Sequence, residues 1–310
     1  MYKACIFDLD GTLTDTLESL TFSVNETLKE VALPAITEEQ CRTFVGNGAK
    51  VLIEQSLKAA GDTKLLLFEK AFEAYGRIFD RNCTYHVKPY PGIREMLLKL
   101  KDQNMKLGVL SNKPDRQAVH VVEEIFGKET FDLVWGQREG VPRKPDPSAL
   151  FAMAESLGVS SEEVLYIGDS EVDAATGNAA DMDTVLVEWG FRSREELEKA
   201  DAYRIVAAAD EILDIIRERG KRQMNEYSEE CLNTFLKEQK KLFDEPVAEN
   251  MEEAEAFLAD CMAVVVDSID EVREYFEEEG VDVDGMSAED LEEASEVFAL
   301  PDGTYLIVEG

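Results

Sequence analysis

The stretch Phe7-Asp8-Leu9-Asp10-Gly11-Thr12-Leu13 constrains this chain more than any other. Ala4, Cys5 and Ile6 precede it, a short apolar run that reads as a buried strand, and Gly11 with Thr12 supplies a sharp exit. Strand side chains alternate, so Asp8 and Asp10 point the same way at the strand's end. Two carboxylates held close together are costly unless a cation or a shared proton relieves their repulsion. One can then serve as nucleophile while the other handles protons, with Mg²⁺ neutralising both. The same letters also suit a solvated strand-to-turn junction, because Asp and Gly are common turn residues. The rest of the chain has to decide.

With 310 residues, 45% of them hydrophobic, the chain can bury a sizeable core, and its length suggests about two domains. Apolar runs such as 263–266 are far too short to span a bilayer, and the first residues lack the basic and apolar regions of a signal peptide. The cytoplasm is therefore expected, with no membrane partner. Cys5, Cys41, Cys83, Cys231 and Cys261 form an odd, scattered set without C-x-x-C spacing, read as reduced thiols. His86 and His120 have no second ligand nearby in sequence and read as structural. A net charge of −34 argues against nucleic acid, whose phosphates need a basic surface. Residues 222–310 carry −22 of that charge, and this break in composition signals a domain boundary.

After the opening strand, Leu17, Leu20, Val24, Leu28 and Val31 recur at helical spacing. Residues 38–45 and 50–60 read as two short helices, and Leu65, Phe68, Phe72, Tyr75 and Phe79 as the stripe of a longer one. Residues 16–86 therefore form a helical unit inserted after the first strand. From Ile93 the pattern becomes helix, strand, helix, strand, which implies parallel strands with helices on both faces. Ligands of such sheets sit at the carboxyl ends of the strands. Polar residues stand there. Strand 107–110 runs into Ser111-Asn112-Lys113, and strand 164–167 into Gly168-Asp169-Ser170-Glu171-Val172-Asp173. Between them, Arg143-Lys144-Pro145-Asp146-Pro147 precedes a helix. Singly each could be a turn or a helix cap. Jointly their order, spacing and placement agree with the opening motif.

The set Asp8-x-Asp10-Gly-Thr, Ser111-Asn112, Lys144-Pro-Asp-Pro and Gly168-Asp169-x-x-x-Asp173 resembles the haloacid dehalogenase-like phosphohydrolases over about residues 1–217. The insertion is similar to the small cap of the subgroup holding phosphoglycolate phosphatases and β-phosphoglucomutases. Within it, 42–49 (R-T-F-V-G-N-G-A) resembles the phosphoglycolate phosphatase form of the substrate-specificity loop. The resemblance implies an α/β fold: a Rossmann-like core at 1–15 and 87–217, with the cap at 16–86. It makes Asp8 the nucleophile and Asp10 the acid and base. Leu9, Ser111, Asn112 and Lys144 would bind phosphate. Mg²⁺ would be held by Asp8, the Asp10 carbonyl and Asp169, with Asp173 acting through water or Lys144. Gly46, Asn47 and Gly48, with positive charge from Arg42 and Lys50, would select a short leaving group bearing a carboxylate.

The polar run 218–226 reads as a linker. Beyond it, 227–310 reads as a small acidic α+β domain: a helix around 232–243, a second opened by a Ser268/Glu271 capping box, a third from Ser287, and a hairpin at 297–308. A protein partner or an intramolecular role is open for it. The expected activity is hydrolysis of a small phosphorylated metabolite, phosphoglycolate first, with a sugar-phosphate mutase, a pyrophosphatase or a non-enzymatic sensor of a phosphorylated ligand as alternatives.

Overall fold

The computed structural model describes residues 1–224, 227–243, 245–278, 280–281, 283 and 286–308. Among them the chain divides into two units, Met1–Arg217 and Glu218–Gly310. The first begins with β1 (Ala4–Phe7) and β2 (Thr14–Asp15), followed by the helices α1 (Leu17–Glu30), α2 (Glu38–Phe44), α3 (Gly48–Ala59) and α4 (Phe68–Asn82). After β3 (Lys88–Pro89) come α5 (Ile93–Asp102), β4 (Lys106–Pro114), α6 (Asp115–Phe126), β5 (Leu133–Gln137) and α7 (Ser148–Leu157). They lead to β6 (Val164–Gly168), α8 (Glu171–Ala179), β7 (Asp183–Val187), α9 (Arg194–Leu197), β8 (Arg204–Val206) and α10 (Ala209–Met224).

Six of these strands form one parallel sheet in the order β5-β4-β1-β6-β7-β8. β1 lies inside it, and all four of its residues are fully buried because both faces of the sheet are covered. Cys5 and Phe7 pack on one side with Leu107, Val109, Leu165 and Ile167. Ala4 and Ile6 face the other side, against Leu150 and Met153 of α7. This is the α/β, Rossmann-like architecture that the alternating pattern predicts. The expected helix and strand bounds shift by a few residues. β4 is the informative case, since it continues past Leu110 through Pro114 and carries Ser111, Asn112 and Lys113 within the strand.

The helical insertion enters and leaves the core side by side. β2 pairs antiparallel with β3, Thr14 opposite Pro89 and Asp15 opposite Lys88. In α1 the buried Leu17, Leu20, Val24 and Leu28 form the expected stripe, joined in one core by Leu52, Ile53, Tyr75 and Phe79 of α3 and α4. Thr37 caps α2 in a reciprocal box with Gln40. α3 starts at Gly48, two residues earlier than the periodicity predicts.

The polar run expected as a linker is helical as far as Met224, within α10, and 225 and 226 lie outside the described residues. In the second unit, α11 (Glu229–Glu238), α12 (Met251–Asp260), β9 (Val264–Val266), α13 (Ile269–Glu278), α14 (Ala288–Glu292), β10 (Val297–Ala299) and β11 (Tyr305–Ile307) follow in order. The hairpin β10–β11 is joined by β9 into an antiparallel sheet, β10-β11-β9. Phe298 and Leu306 pack with Phe235 and Leu258 on one side of it, Val297 and Ile307 with Val272 on the other. Ser268 Oγ caps α13 by accepting from the Glu271 N–H (3.3 Å), whereas the Glu271 carboxylate reaches the N–H of Asp267 and not that of Ser268. α12 and β9 were not expected. In α12 only Ala254 and Leu258 are buried, too narrow a stripe to announce a helix, and β9 is too short for alternation to register.

Candidate active site

Asp8 follows β1 directly. Its N–H donates to the Ile167 carbonyl of β6 (2.8 Å), so the ladder that fixes the strand also fixes this carboxylate. The chain then turns on the Leu9 carbonyl, which accepts from the N–H groups of Leu13 and Thr14 (both 3.1 Å). Gly11 has φ +87°, and a Cβ there would lie 2.2 Å from Asp169 Oδ2. Glycine is thus required twice, for the left-handed backbone and for the close approach.

Asp10 is held by two partners. Thr16 Oγ1 donates to Oδ1 (2.7 Å), and Lys113 Nζ lies 2.8 Å from both carboxylate oxygens. Lys113 is buried, with its ammonium 4.8 Å from the ring centroid of Phe79 of α4. Lys113 ends the Ser111-Asn112-Lys113 run, and no role follows for it from the motif. The signal was available: residues two apart on a strand share a face, and Ser111 and Lys113 are both on β4.

Lys144 is buried between two carboxylates, Asp8 Oδ1 at 2.9 Å and Asp173 Oδ1 at 2.7 Å. Burial opposes its charge, but Asp173 and Asp8 outweigh it and hold the ammonium pKa well above its ordinary value. Asp8 shows the converse. Burial, helped by Asp173 and Asp10, outweighs Lys144 and raises its carboxyl to about 6. Burial also pushes Asp169 well above the usual carboxylate range, with Asp173 and Asp8 adding to the effect. Asp173 is buried too, yet Lys144, Ser170 and Tyr166 hold it below that range. Its oxygens are committed: Oδ1 accepts from Lys144 and from the Tyr166 hydroxyl (2.9 Å), Oδ2 from Ser170 Oγ (2.6 Å) and the Asp169 N–H (3.2 Å).

Asp8, Asp169 and Asp173 each offer an oxygen, and these atoms lie within 4.8 Å of one another. Three buried carboxylates facing one ammonium leave negative charge that a cation would relieve. The donors are all oxygen, which suits a hard divalent ion such as Mg²⁺. Asp169 Oδ2 also accepts from the Phe191 N–H (2.7 Å), which orients it.

The cavity above these groups measures about 50 Å³, room for a handful of waters. Ser111, Asn112, Lys113 and Arg192 line it from the core, and Gly46, Gly48, Leu52, Tyr75 and Phe79 from the cap. Asn47 does not line it; its carbonyl accepts from Arg143 (3.0 Å). Arg42 and Lys50 are not brought to this cavity. Arg42 lies 3.7 Å from Glu39 and borders a separate space of about 240 Å³ beside His86 and Trp189. Lys50 is exposed, 6.0 Å from the Phe68 ring centroid. Because α3 begins at Gly48, Ala49 takes the inward place, and the next residue is turned about 100° away. The cations that do line the cavity are Lys113, Lys144 and Arg192. Arg192 was missed, although it follows the carboxyl end of β7, where the strand-end rule points. Neither histidine lines the cavity, and none of the five cysteines is in a disulfide. No helix among the described residues is long and apolar enough to cross a membrane.

Comparison with known proteins agrees with this geometry. A phosphoglycolate phosphatase of Rhodospirillum rubrum is 34% identical over 214 residues, covering 66% of this chain and 87% of the relative. The crystal structure of a predicted phosphoglycolate phosphatase from Haemophilus somnus superposes with a TM-score of 0.65 at 27% identity, covering 69% of this chain and 98% of that one. β-Phosphoglucomutase of Clostridium difficile shares the fold at 20% identity, with a TM-score of 0.57 over 72% of this chain and 99% of that one. The haloacid dehalogenase-like hydrolase model matches residues 5–187, and no family model matches the chain beyond them. On the strength of that match and of the strand-end carboxylates it spans, the chain belongs to the haloacid dehalogenase-like hydrolase family.

Proposed function

We propose that this chain is a Mg²⁺-dependent phosphatase that hydrolyses a small phosphorylated metabolite, phosphoglycolate first among them, through an aspartyl-phosphate on Asp8. The observation that carries this reading is the Asp8 carboxylate at the end of the central strand, 2.9 Å from Lys144 and beside the buried Asp169. An Asp8 oxygen attacks phosphorus and the bond to the leaving oxygen breaks. Asp10, oriented by Thr16 and Lys113, gives that oxygen its proton. As a carboxylate, Asp10 then takes a proton from the water that attacks the aspartyl-phosphate, releasing inorganic phosphate and restoring Asp8. Lys144 and the backbone around Leu9 and Asn112 meet the charge on the transferring oxygens. Asp8, the Asp10 carbonyl and Asp169 would hold Mg²⁺, which supplies further charge neutralisation when bound. Asp173, with its oxygens already committed, would act by positioning Lys144.

The small cavity, with cations on its core side, favours a short anionic leaving group over a hexose. The test is phosphate release from a panel of phosphorylated metabolites, with and without EDTA. Phosphoglycolate is expected to lead, hexose phosphates to trail, and EDTA to abolish turnover. A panel led by hexose phosphates, nucleotides or pyrophosphate would remove the substrate assignment. An isomerised sugar phosphate in place of released phosphate would establish the mutase alternative.

A further inference from the structure

Residues 45–47 join α2 to α3 over the cavity, and their three consecutive carbonyls are each taken by a side chain of the core. Val45 O accepts from the Arg192 guanidinium (3.1 Å), Gly46 O from Asn112 Nδ2 (3.0 Å) and Asn47 O from Arg143 (3.0 Å). Loop carbonyls need partners when they leave water. Here all three come from the opposite side of the cavity, so docking of the loop depends on its backbone and not on its side chains. The glycine makes room for this. Gly46 has φ +115°, and a Cβ there would stand 3.3 Å from the Arg192 guanidinium.

Each donor is tied to a residue that faces the phosphoryl group. Arg143 immediately precedes Lys144. Asn112 holds both backbone groups of Lys144, accepting from its N–H and donating to its carbonyl (both 3.0 Å). Arg192 follows Phe191, whose N–H orients Asp169, and is braced by Glu171 at 2.9 Å. The Arg192 side chain is only 10% exposed, whereas Arg143 is exposed. Arg192 is therefore the stronger of the two attachments, since hydrogen bonds to buried charged groups count for more than exposed ones.

We propose that Arg192 and Arg143 are positioning residues that, with Asn112, latch the cap loop by its backbone and thereby couple closure to the placement of Lys144 and Asp169. The proposal rests on the phosphatase reading for its kinetic consequence but not for the latch itself. Closure then does two things at once: it shuts water out and fixes the charged groups on the phosphoryl oxygens. Losing the latch lowers the rate of the bound complex as well as retention of the substrate.

The experiment compares the full-length protein with Arg192→Ala, Arg143→Ala and Arg192→Lys, by amide hydrogen exchange at residues 45–52 and by steady-state kinetics on the best ester of the panel. Arg192→Ala should speed exchange in this loop while strands β4 and β6 keep their protection. It should lower kcat about tenfold, the loss of one charged hydrogen bond, with KM changed less than about threefold. Arg143→Ala should do the same by a smaller factor, and Arg192→Lys, which can still donate to one carbonyl, should recover part of the loss. Unchanged exchange at 45–52 in Arg192→Ala overturns the latch. A loss confined to KM overturns its coupling to Lys144 and Asp169, and loss of protection across β4 and β6 makes Arg192 a structural residue instead. If the parent hydrolyses no ester, the phosphatase reading fails, while the exchange comparison still decides the latch.

Discussion

Asp8 carries a cost that the proposed chemistry would require. Its carboxyl is raised by burial and neighbouring acids from the usual range to about 6, so folding takes up a proton at this group. The sign follows: its contribution favours the native state at pH below about 4 and turns against it as pH rises through 6, by up to about 3 kcal/mol. Asp8→Asn removes that liability together with the proposed nucleophile. We expect the metal-free variant to melt higher than the parent, with a gap that widens between pH 4.5 and 7.5, and to show no turnover. A gap independent of pH, or near-parental turnover, would remove Asp8 from its assigned place. The residues proposed to face phosphate were legible in sequence because the roles proposed for them depend on residue type at the end of a strand. Lys113 and Arg192 were harder to read, because their value lies in what they touch: Asp10 in one case and the Val45 carbonyl in the other. Arg42 and Lys50 were misplaced for a related reason. A sequence gives the charge near a loop, whereas the starting residue of α3 decides which way that charge faces.

At the level of elements, β4 and β5 set the geometry of the polar strand end. Gly136 of β5 passes so near the end of β4 that a Cβ would stand 2.5 Å from the Lys113 carbonyl and from the Asp115 backbone. Both obstacles are backbone, so neither can yield by changing rotamer. Gly136→Ala should therefore cost about 1–3 kcal/mol as an overpacked contact. It should also displace Lys113 from Asp10, so kcat should fall while the melting temperature drops by several degrees. Thermal melts and kinetics on one preparation check both; an alanine variant with parental kcat would show that β5 does not hold this strand end in place. The helices and parallel strands were legible because their apolar periodicities are long and clean, as in α1. α12 and β9 were not, since two buried positions in one and three residues in the other leave too little pattern to detect.

On the scale of the whole chain, the apolar face of α10 belongs to the first unit: Ile212, Leu213, Ile215 and Ile216 are buried in its core. Every strand-end group of the candidate site also lies before Arg217. A protein ending at Met224 is therefore expected to stay folded, with a melting transition of its own, and to release phosphate at close to the parental rate. Insolubility, or a folded but inactive product, would make the acidic unit part of the catalytic body. That unit's own arrangement was partly legible, and its purpose was not, because solvated carboxylates have the same pattern whether or not they meet a partner. The short ribbon of β2 and β3 has a separate consequence. Asp15 and Lys88 sit opposite each other although 73 positions separate them along the chain. The whole insertion between them enters and leaves the core through this one ribbon. Genetic lengthening or exchange of that inserted block leaves the order of the six parallel strands untouched, so selection can rework which molecules are admitted while the carboxylates at the strand ends keep their places in the core.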